Sequence, residues 1–305
     1  MVLIVTPAPA ATRANRLAGS VARLVPFLLM GVGETARFWR HPALPEVDLL
    51  RARFVDHRYA RHSHDAYAIA LIRTGVEQWW YRGGVVRAGA GGIGLVNPDT
   101  VHTGEPGSPD GWAYRVLYPS VPVLRAVADE LGLPPGTPWF PEPVVDDPRL
   151  ADLLLAAHQA ADVGDALAAS SRTRQLFGAL LTRYAGRRPA AAVPPADAGR
   201  AVRARDLLLD RIATPPSLDE LAATVGTGGF ALIRAFRAQF GLPPHALLTQ
   251  HRVEQARRLL DDGVRPAAVA ASVGFVDQAH LTRHFRRIVG VPPGAYRRHH
   301  GPAAA

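Results

Sequence analysis

The last third of the chain contains the same pattern twice, about 48 residues apart. Each copy has a glycine, then an Arg-x-Phe-Arg segment, then Gly-x-Pro-Pro, at 226–244 and at 274–293. A short apolar stretch that predicts a helix precedes each copy, at 218–225 and at 266–273. The repeated unit is therefore a helix, a glycine-bearing turn and a longer basic helix, which is the layout of a helix-turn-helix.

The longer helix of each unit has one apolar face and one basic face. In the second unit Leu281, Phe285 and Ile288 share a face at helical spacing, so Arg283 and Arg286 point the opposite way. The first unit repeats this division. Its inward face carries Leu232, Phe236 and Gln239, and its outward face carries Phe230, Arg234 and Arg237. One such helix would fit an ordinary helical core, but the duplication favours arginine pairs that grip guanine edges or phosphates.

The segment 244–260 between the units predicts one helix, ~25 Å long at ~1.5 Å per residue. A rigid connector of that size can set two reading helices about one DNA turn apart, ~34 Å, in successive major grooves. A monomer could then read two grooves.

The stretch 218–298, with LIRAFRAQFGLPPHALLTQHRVEQARRLL and VAASVGFVDQAHLTRHFRRIVGVPPGAYRR, resembles the DNA-binding domain of the AraC/XylS family of bacterial transcription regulators. The resemblance implies a seven-helix domain with two helix-turn-helices, and it maps base-contacting positions onto both reading helices. Together with outward neighbours on the same helices, the candidate DNA contacts are Phe230, Ile233, Arg234, Arg237, Gln278, Ala279, His280, Arg283 and Arg286.

The two units differ where the first reading helix begins. Family members usually have a capping serine there, whereas this chain has Gly228 and then Gly229, which disfavours the first turn by up to ~1 kcal/mol. The apolar Ile233 stands where a hydrogen-bonding side chain would help, while Asp277 is a good cap for the second helix. We expect the second unit to read sequence more sharply, and the DNA half-sites to be unequal.

The charge distribution agrees with a polyanionic partner. The net charge is +9, and residues from 197 onward carry +6 of it, with 15 arginines against 9 acids. All 35 basic residues are arginine, which a GC-rich genome also explains. The clustering of the charge is therefore more informative than its total, because phosphate binding needs clustered cations.

At 305 residues with 48% hydrophobic content, the chain is long enough for two domains. It has no cysteine, which excludes disulfides, cysteine-ligated zinc fingers and a thiol nucleophile. Residues 24–32 are apolar but too few to span a bilayer, so we expect residues 1–36 to be disordered or to follow a start codon assigned too early. The predicted units are an extension at 1–36, a sensor domain at 37–184, a linker at 185–198, a DNA-binding domain at 199–300 and a tail at 301–305.

From residue 46 to about 120, short apolar runs are broken by Gly, Pro and Asp turns, which predicts a β-sandwich or small barrel. His62-Ser63-His64 and, after the turn at 97–99, His102 resemble the cupin-like sensor domain of the same family. Helices are predicted at 121–131, 148–161 and 165–184. These helices cover the barrel or pair two subunits. The predicted fold class is therefore α+β, a cupin-like barrel with flanking helices followed by an all-α domain.

The barrel predicts a binding pocket. Three histidines could hold zinc, iron or manganese, but metal-binding cupins have a Glu about four residues after the histidine pair, and this chain has Tyr67-Ala68-Ile69 there, with Glu77 next. We therefore expect a metal-free pocket without catalytic residues or cofactor. The aromatic candidates equally fit an ordinary barrel core, and alternation puts Trp80 on the opposite face from its neighbours. The candidate effector-binding residues are His62, His64, Trp79, Tyr81, His102 and Tyr114.

These patterns predict a cytoplasmic transcription regulator that binds double-stranded promoter DNA under the control of a small-molecule effector. We expect it to activate transcription by contacting RNA polymerase, to form a homodimer through the helices after the barrel, and to have no membrane association. Two alternatives remain: a metal-dependent cupin isomerase or dioxygenase with a DNA-binding tail, and a constitutive DNA-binding protein whose barrel binds nothing.

Overall fold

The computed structural model describes residues 33–186 and 195–300. The predicted extension at 1–36 lies almost wholly outside the described residues, as do the tail at 301–305 and most of the predicted linker. Among the described residues, no helix is both long and apolar enough to cross a membrane.

The first part of the fold is a barrel of two face-to-face sheets that share one long strand. Its strands are β1 (Thr35–Arg40), β2 (Val47–Phe54), β3 (Tyr59–His62), β4 (Ala68–Tyr81), β5 (Gly84–Gly89), β6 (Ile93–Val96), β7 (His102–Pro106), β8 (Trp112–Pro119) and β9 (Val144–Val145). The first sheet has the order β1-β2-β8-β4-β6-β9, and the second joins β5, β4, β7 and β3, all antiparallel.

The strand β4 passes from one sheet to the other at Gly75. Its pairing with β8 shifts register between Ile72 and Thr74, and Gly75 has a φ of 71°. A side chain at Gly75 would collide with the carbonyl oxygen of Gly111, so this corner of the barrel requires glycine.

Three helices cover the outer face of the first sheet: α1 (Val121–Glu130), α2 (Pro148–Val163) and α3 (Ala166–Tyr184). Alternation along β2 sends Leu49 outward to these helices and Leu50 inward to the barrel core, and both are fully buried. The three helices predicted from the sequence are confirmed to within two residues at each end. Covering the barrel is one of the two uses predicted for them.

The second part is all α-helical, as predicted. Its helices are α4 (Pro195–Asp210), α5 (Leu218–Thr224), α6 (Gly229–Phe240), α7 (Pro244–Asp261), α8 (Pro266–Ser272), α9 (Gln278–Val289) and α10 (Pro293–His300). The pairs α5–α6 and α8–α9 form the two helix-turn-helix units, and α7 is the connector between them.

The ends of the segment predicted as a linker are ordered. Gly186 donates its backbone N–H to the carbonyl of Trp139, at 2.7 Å, which anchors the end of the first part to the barrel. Helix α4 begins at Pro195 and buries Ala201, Ala204 and Leu208 against the first helix-turn-helix. The Pro- and Ala-rich composition of the segment obscured this helix, because its apolar periodicity emerges only after residue 200.

The cores of the two parts are continuous. The barrel residues Phe38 and Tyr114 belong to the same buried cluster as Val253 on α7, Phe285 on α9 and Tyr296 on α10. Phe38 and Tyr296 pack with ring centroids 5.5 Å apart. The glycines that end the two reading helices also face the barrel, Gly241 towards Val101 and Gly290 towards Tyr59.

Candidate functional site

The barrel encloses a cavity of about 350 Å³, which is of a size that accepts a small molecule. Most of its lining comes from barrel strands, and the rest comes mainly from helix α7, with Ile288 and Val289 of α9. Its apolar lining includes Val96, Val116 and Phe38, and its polar lining includes three histidines, three tyrosines and several charged groups.

Five of the six predicted effector-binding residues line this cavity, namely His62, His64, Trp79, His102 and Tyr114. The sixth, Tyr81, does not: its side chain is buried, and its hydroxyl accepts a hydrogen bond from the side chain of Asn97 at 3.0 Å. Trp80 points outward as expected from strand alternation, and Arg61 lies 3.9 Å above its ring.

The three histidines come together because of strand pairing. His62 on β3 lies directly opposite His102 on β7, and His64 follows two residues after His62. The ring centroids of His62 and His102 are 4.3 Å apart, and those of His64 and His102 are 4.9 Å apart. One ring nitrogen from each residue lies within 4.8 Å of those of the other two.

All three imidazoles are held in the same way. The Nδ1 atoms of His62, His64 and His102 are hydrogen-bonded to the carbonyls of Ala60, Ala66 and Thr100, at 2.8, 2.6 and 2.9 Å. A carbonyl can only accept, so each Nδ1 carries the proton and each Nε2 keeps its lone pair.

Burial favours the uncharged form of these groups. It lowers the pKa of His62 to about 4 and that of His64 to about 3, and burial together with the two neighbouring imidazoles lowers the pKa of His102 well below its ordinary value. Burial also raises the pKa of Glu77 to about 8. At neutral pH the cavity therefore presents neutral imidazoles and a protonated carboxyl.

Several cavity residues were not predicted. Tyr118 could have been predicted from strand alternation. Tyr114, Val116 and Tyr118 follow one another at every second position of β8, so they lie on the same face of the strand. Tyr59 donates to or accepts from Tyr114, with the hydroxyls 2.8 Å apart. Arg257 carried no local signal, because it reaches the cavity from the other end of the chain.

Helix α7 closes the cavity with Val253, Glu254 and Arg257. The Arg257 guanidinium lies 2.6 Å from the carboxylate of Asp48 on β2, which Arg40 also binds at 2.7 Å. Gln250, about two turns before Arg257, accepts a hydrogen bond from the backbone N–H of Ser63 at 2.9 Å. The connector between the two helix-turn-helix units is thus also a wall of the barrel cavity.

The predicted DNA contacts on α6 are available at the surface. Phe230 is 84% exposed, Arg234 and Arg237 are exposed, and Ile233 is half-buried. The apolar face is turned inward as predicted, with Leu232 and Phe236 buried. Gly228 is the N-cap of α6 and offers no side-chain hydrogen bond.

On α9, Gln278, Ala279 and Arg283 are exposed, whereas His280 is half-buried against Phe275. Asp277 caps the helix, as predicted, by accepting the backbone N–H of His280 at 2.6 Å. Leu281 and Phe285 are buried on the opposite face.

A cleft separates the outward face of α9 from the barrel. Its far wall includes Glu34 and Asp56, and its near wall includes Arg283 and Arg286. Arg286 lies 3.8 Å from the carboxylate of Glu34. Glu34 itself is buried and accepts the backbone N–H groups of residues 55–57 at 2.8–2.9 Å, so it is held rigidly in this position.

Two protein-family models match the chain. Residues 44–177 match the AraC-like ligand binding domain, and residues 221–299 match a helix-turn-helix domain. The HTH-type transcriptional regulator YbfI of Bacillus subtilis is 26% identical over 77% of this chain and 86% of its own length. The HTH-type transcriptional regulator MtrA of Neisseria gonorrhoeae is 35% identical over 28% of this chain and 29% of its own length.

Among solved structures, ToxT of Vibrio cholerae with a bound unsaturated fatty acid has the same two-part fold. Its TM-score is 0.50 at 12% identity, and the match covers 89% of this chain and 97% of that one. At this identity the likeness concerns the fold alone.

Proposed function

Because the chain belongs to the AraC family of transcription regulators, we propose that α6 and α9 enter the major groove of promoter DNA and that a small molecule in the barrel cavity controls this binding. The proposed DNA contacts are the predicted set, Phe230, Ile233, Arg234, Arg237, Gln278, Ala279, His280, Arg283 and Arg286. The similarity to transcription regulators favours this function over the enzyme alternative.

The observation that carries the proposal is the double role of α7. Val253, Glu254 and Arg257 line the effector cavity, while the same helix connects the two DNA-reading units. A ligand can shift a protein only between states that it binds with different affinity. An effector that alters the Arg257–Asp48 contact changes the position of α7, and with it the placement of α6 and α9.

We propose that the conformation described is the one with restrained DNA binding. The outward face of α9 lies across a cleft from Glu34 and Asp56, and these carboxylates would repel an incoming phosphate backbone. Loosening the contact between α7 and the barrel would free α9. In this scheme the effector acts by opening the interface between barrel and helices.

For the sign of regulation we propose activation through RNA polymerase. A transcriptional activator, NphR of Rhodococcus, is 38% identical over 28% of this chain and 25% of its own length. In vitro transcription from a target promoter with purified RNA polymerase tests this sign: added protein should increase the transcript, and a decrease would indicate repression.

Homodimer formation stays a prediction. The most exposed large apolar side chains on α2 and α3 are Val163 and Leu167, at 80% and 77% exposure, and both lie at the turn between these helices. Sedimentation of the wild type and of Leu167→Glu measures whether this turn joins two subunits.

The proposed function is tested by selecting DNA from a random duplex pool with the full chain. We expect one recurring site with two unequal parts about one helical turn apart, ~34 Å, the more defined part belonging to α9. A pool that stays random after repeated selection, at a salt concentration that suppresses non-specific binding, would contradict the proposal.

A further inference from the structure

We propose that the barrel binds a divalent first-row transition metal ion through the Nε2 atoms of His62, His64 and His102. The proposal concerns binding and not catalysis. It goes beyond the proposed function, because it can hold or fail whether or not the chain binds DNA.

The first support is the convergence of three potential ligands from two segments of the chain. Strand pairing sets His62 opposite His102. His64 lies in the loop that follows β3, two residues after His62. One ring nitrogen from each histidine already lies within 4.8 Å of those of the other two, and tetrahedral zinc needs its ligand nitrogens ~3.3 Å apart. Small rotations of the imidazole side chains would close the remaining gap.

The second support is the shared tautomer. A metal-binding histidine almost always donates its other ring N–H to a carbonyl or carboxylate, which fixes the ring and directs the lone pair at the metal. Here the carbonyls of Ala60, Ala66 and Thr100 hold all three Nδ1 atoms. Three independent backbone acceptors thus orient three imidazoles in the way a metal requires.

The third support is a buried nitrogen without a partner. The Nε2 atom of His64 is inaccessible to solvent and has no hydrogen-bond partner within the described chain. Leaving such a polar atom unsatisfied disfavours folding by about 1–3 kcal/mol. A bound cation would supply the missing partner.

Three imidazoles favour zinc, copper, iron or nickel over magnesium or calcium, which prefer oxygen. All three histidines line the cavity, so the remaining coordination positions face the space proposed for the effector. The glutamate that metal-binding cupins place after the histidine pair is missing, but Glu77 lines the same cavity from β4. Glu77 is not among the clustered ligands, so the proposed site consists of the three imidazoles alone.

The test uses the full chain without an affinity tag, treated with a chelator and then freed of it. Zn²⁺ is added in a calorimetric titration, and Co²⁺ in a parallel titration followed by its visible absorption. We expect one strongly bound ion per chain, and His102→Gln should weaken binding at least ~100-fold, because even loss of an orienting partner weakens metal sites by ~10–100-fold.

Two control variants separate this site from other histidines. His41→Gln removes a buried histidine outside the cluster and should leave binding unchanged. The double variant His280→Gln/His284→Gln removes a second histidine pair, on α9, whose rings are 4.8 Å apart. It should remove any weak metal binding at that surface and leave the strong binding in the barrel unchanged. The melting temperature of each variant in the presence of chelator shows whether it folds.

X-ray absorption at the zinc edge of the wild type gives a second reading that needs no variant. Three imidazole nitrogens at ~2.0 Å would support the proposal. Absence of stoichiometric binding, binding abolished by the α9 double variant, or an unchanged affinity in folded His102→Gln would overturn it.

Discussion

At the scale of single residues, Arg283 best represents the proposed DNA-reading face. It is exposed on α9, one turn after Ala279, whose small side chain allows the helix to approach the bases closely. An arginine in this position can bind guanine O6 and N7 with both ends of its guanidinium.

We predict that Arg283→Ala weakens binding to the selected DNA site by about 1–3 kcal/mol, which is roughly 5–150-fold, without changing the fold. Fluorescence anisotropy with the labelled site measures the change. Arg149→Ala, an exposed arginine on the barrel helix α2, is the matched control and should bind normally. Equal affinity of Arg283→Ala and wild type would remove α9 from the interface.

His158 on α2 is fully buried and neutral. Its Nδ1 accepts a hydrogen bond from Arg115 at 2.8 Å, and its Nε2–H donates to the carbonyl of Leu50. Burial and the positive charge of Arg115 lower the pKa of His158 to about 3. The nearby carboxylate of Asp162 acts in the opposite direction but is outweighed. Below about pH 6.5 the unfolded chain takes up a proton that the folded chain refuses, so stability falls as the pH falls.

We predict that His158→Gln reduces the acid sensitivity of the fold. Between pH 7 and pH 5 the wild type should lose about 2 kcal/mol more unfolding free energy than the variant, because this histidine accounts for that loss. Urea unfolding at the two pH values measures it. If both proteins lose the same amount, His158 does not oppose protonation in the folded state.

At the scale of elements, the two reading helices begin differently. Asp277 caps α9 through its side chain, whereas Gly228 leaves the start of α6 without a side-chain hydrogen bond. Because both helices end in a left-handed glycine and turn into Gly-x-Pro-Pro, the N-terminal cap is the principal asymmetry between them.

We predict that Asp277→Ala lowers the unfolding free energy by about 1 kcal/mol, as the loss of a helix cap usually does. Gly228→Ala should lower it less, by about 0.5 kcal/mol, because glycine is a better N-cap than alanine but no side-chain hydrogen bond is lost there. Chemical denaturation of both variants compares them. A larger loss at Gly228 would mean that the first helix depends on its cap more than the second.

The sequence predicted the elements better than the cavity, for a physical reason. Helix periodicity, caps and the glycine turns are local signals, so α6, α9 and the barrel-covering helices could be placed from neighbouring residues. The histidine cluster was identified through spacing around a turn. The pairing of Arg257 with Asp48, however, joins residues 209 positions apart and has no local signature.

The same distinction explains Tyr81 and helix α4. Strand alternation put Tyr81 on the inward face, but which inward side chains reach the cavity depends on how the second sheet packs over the first. Tyr81 is used instead to hold Asn97, whose side-chain N–H also binds the carbonyl of Phe140. Helix α4 could not be predicted because its few apolar residues form a face only where they pack against the first helix-turn-helix.

At the scale of the whole molecule, one helix belongs to both functions. Helix α7 connects the reading helices, and its Arg257 lies between Asp48 of the barrel and the ring of Tyr296. The surrounding groups, chiefly Tyr296 and Asp48, raise the pKa of Arg257 despite its burial, so it stays charged. Control of DNA binding by the cavity requires that this contact restrain the reading helices.

The most direct test of that claim is the affinity of effector-free Arg257→Met for the selected DNA site, measured by fluorescence anisotropy. Methionine keeps much of the packing but removes the ion pair, while Asp48 retains Arg40. Release of α9 should tighten DNA binding about tenfold, or ~1.4 kcal/mol, and Arg149→Met, at an exposed arginine on the barrel helix α2, should not. An affinity of Arg257→Met equal to or below that of the wild type would contradict the account.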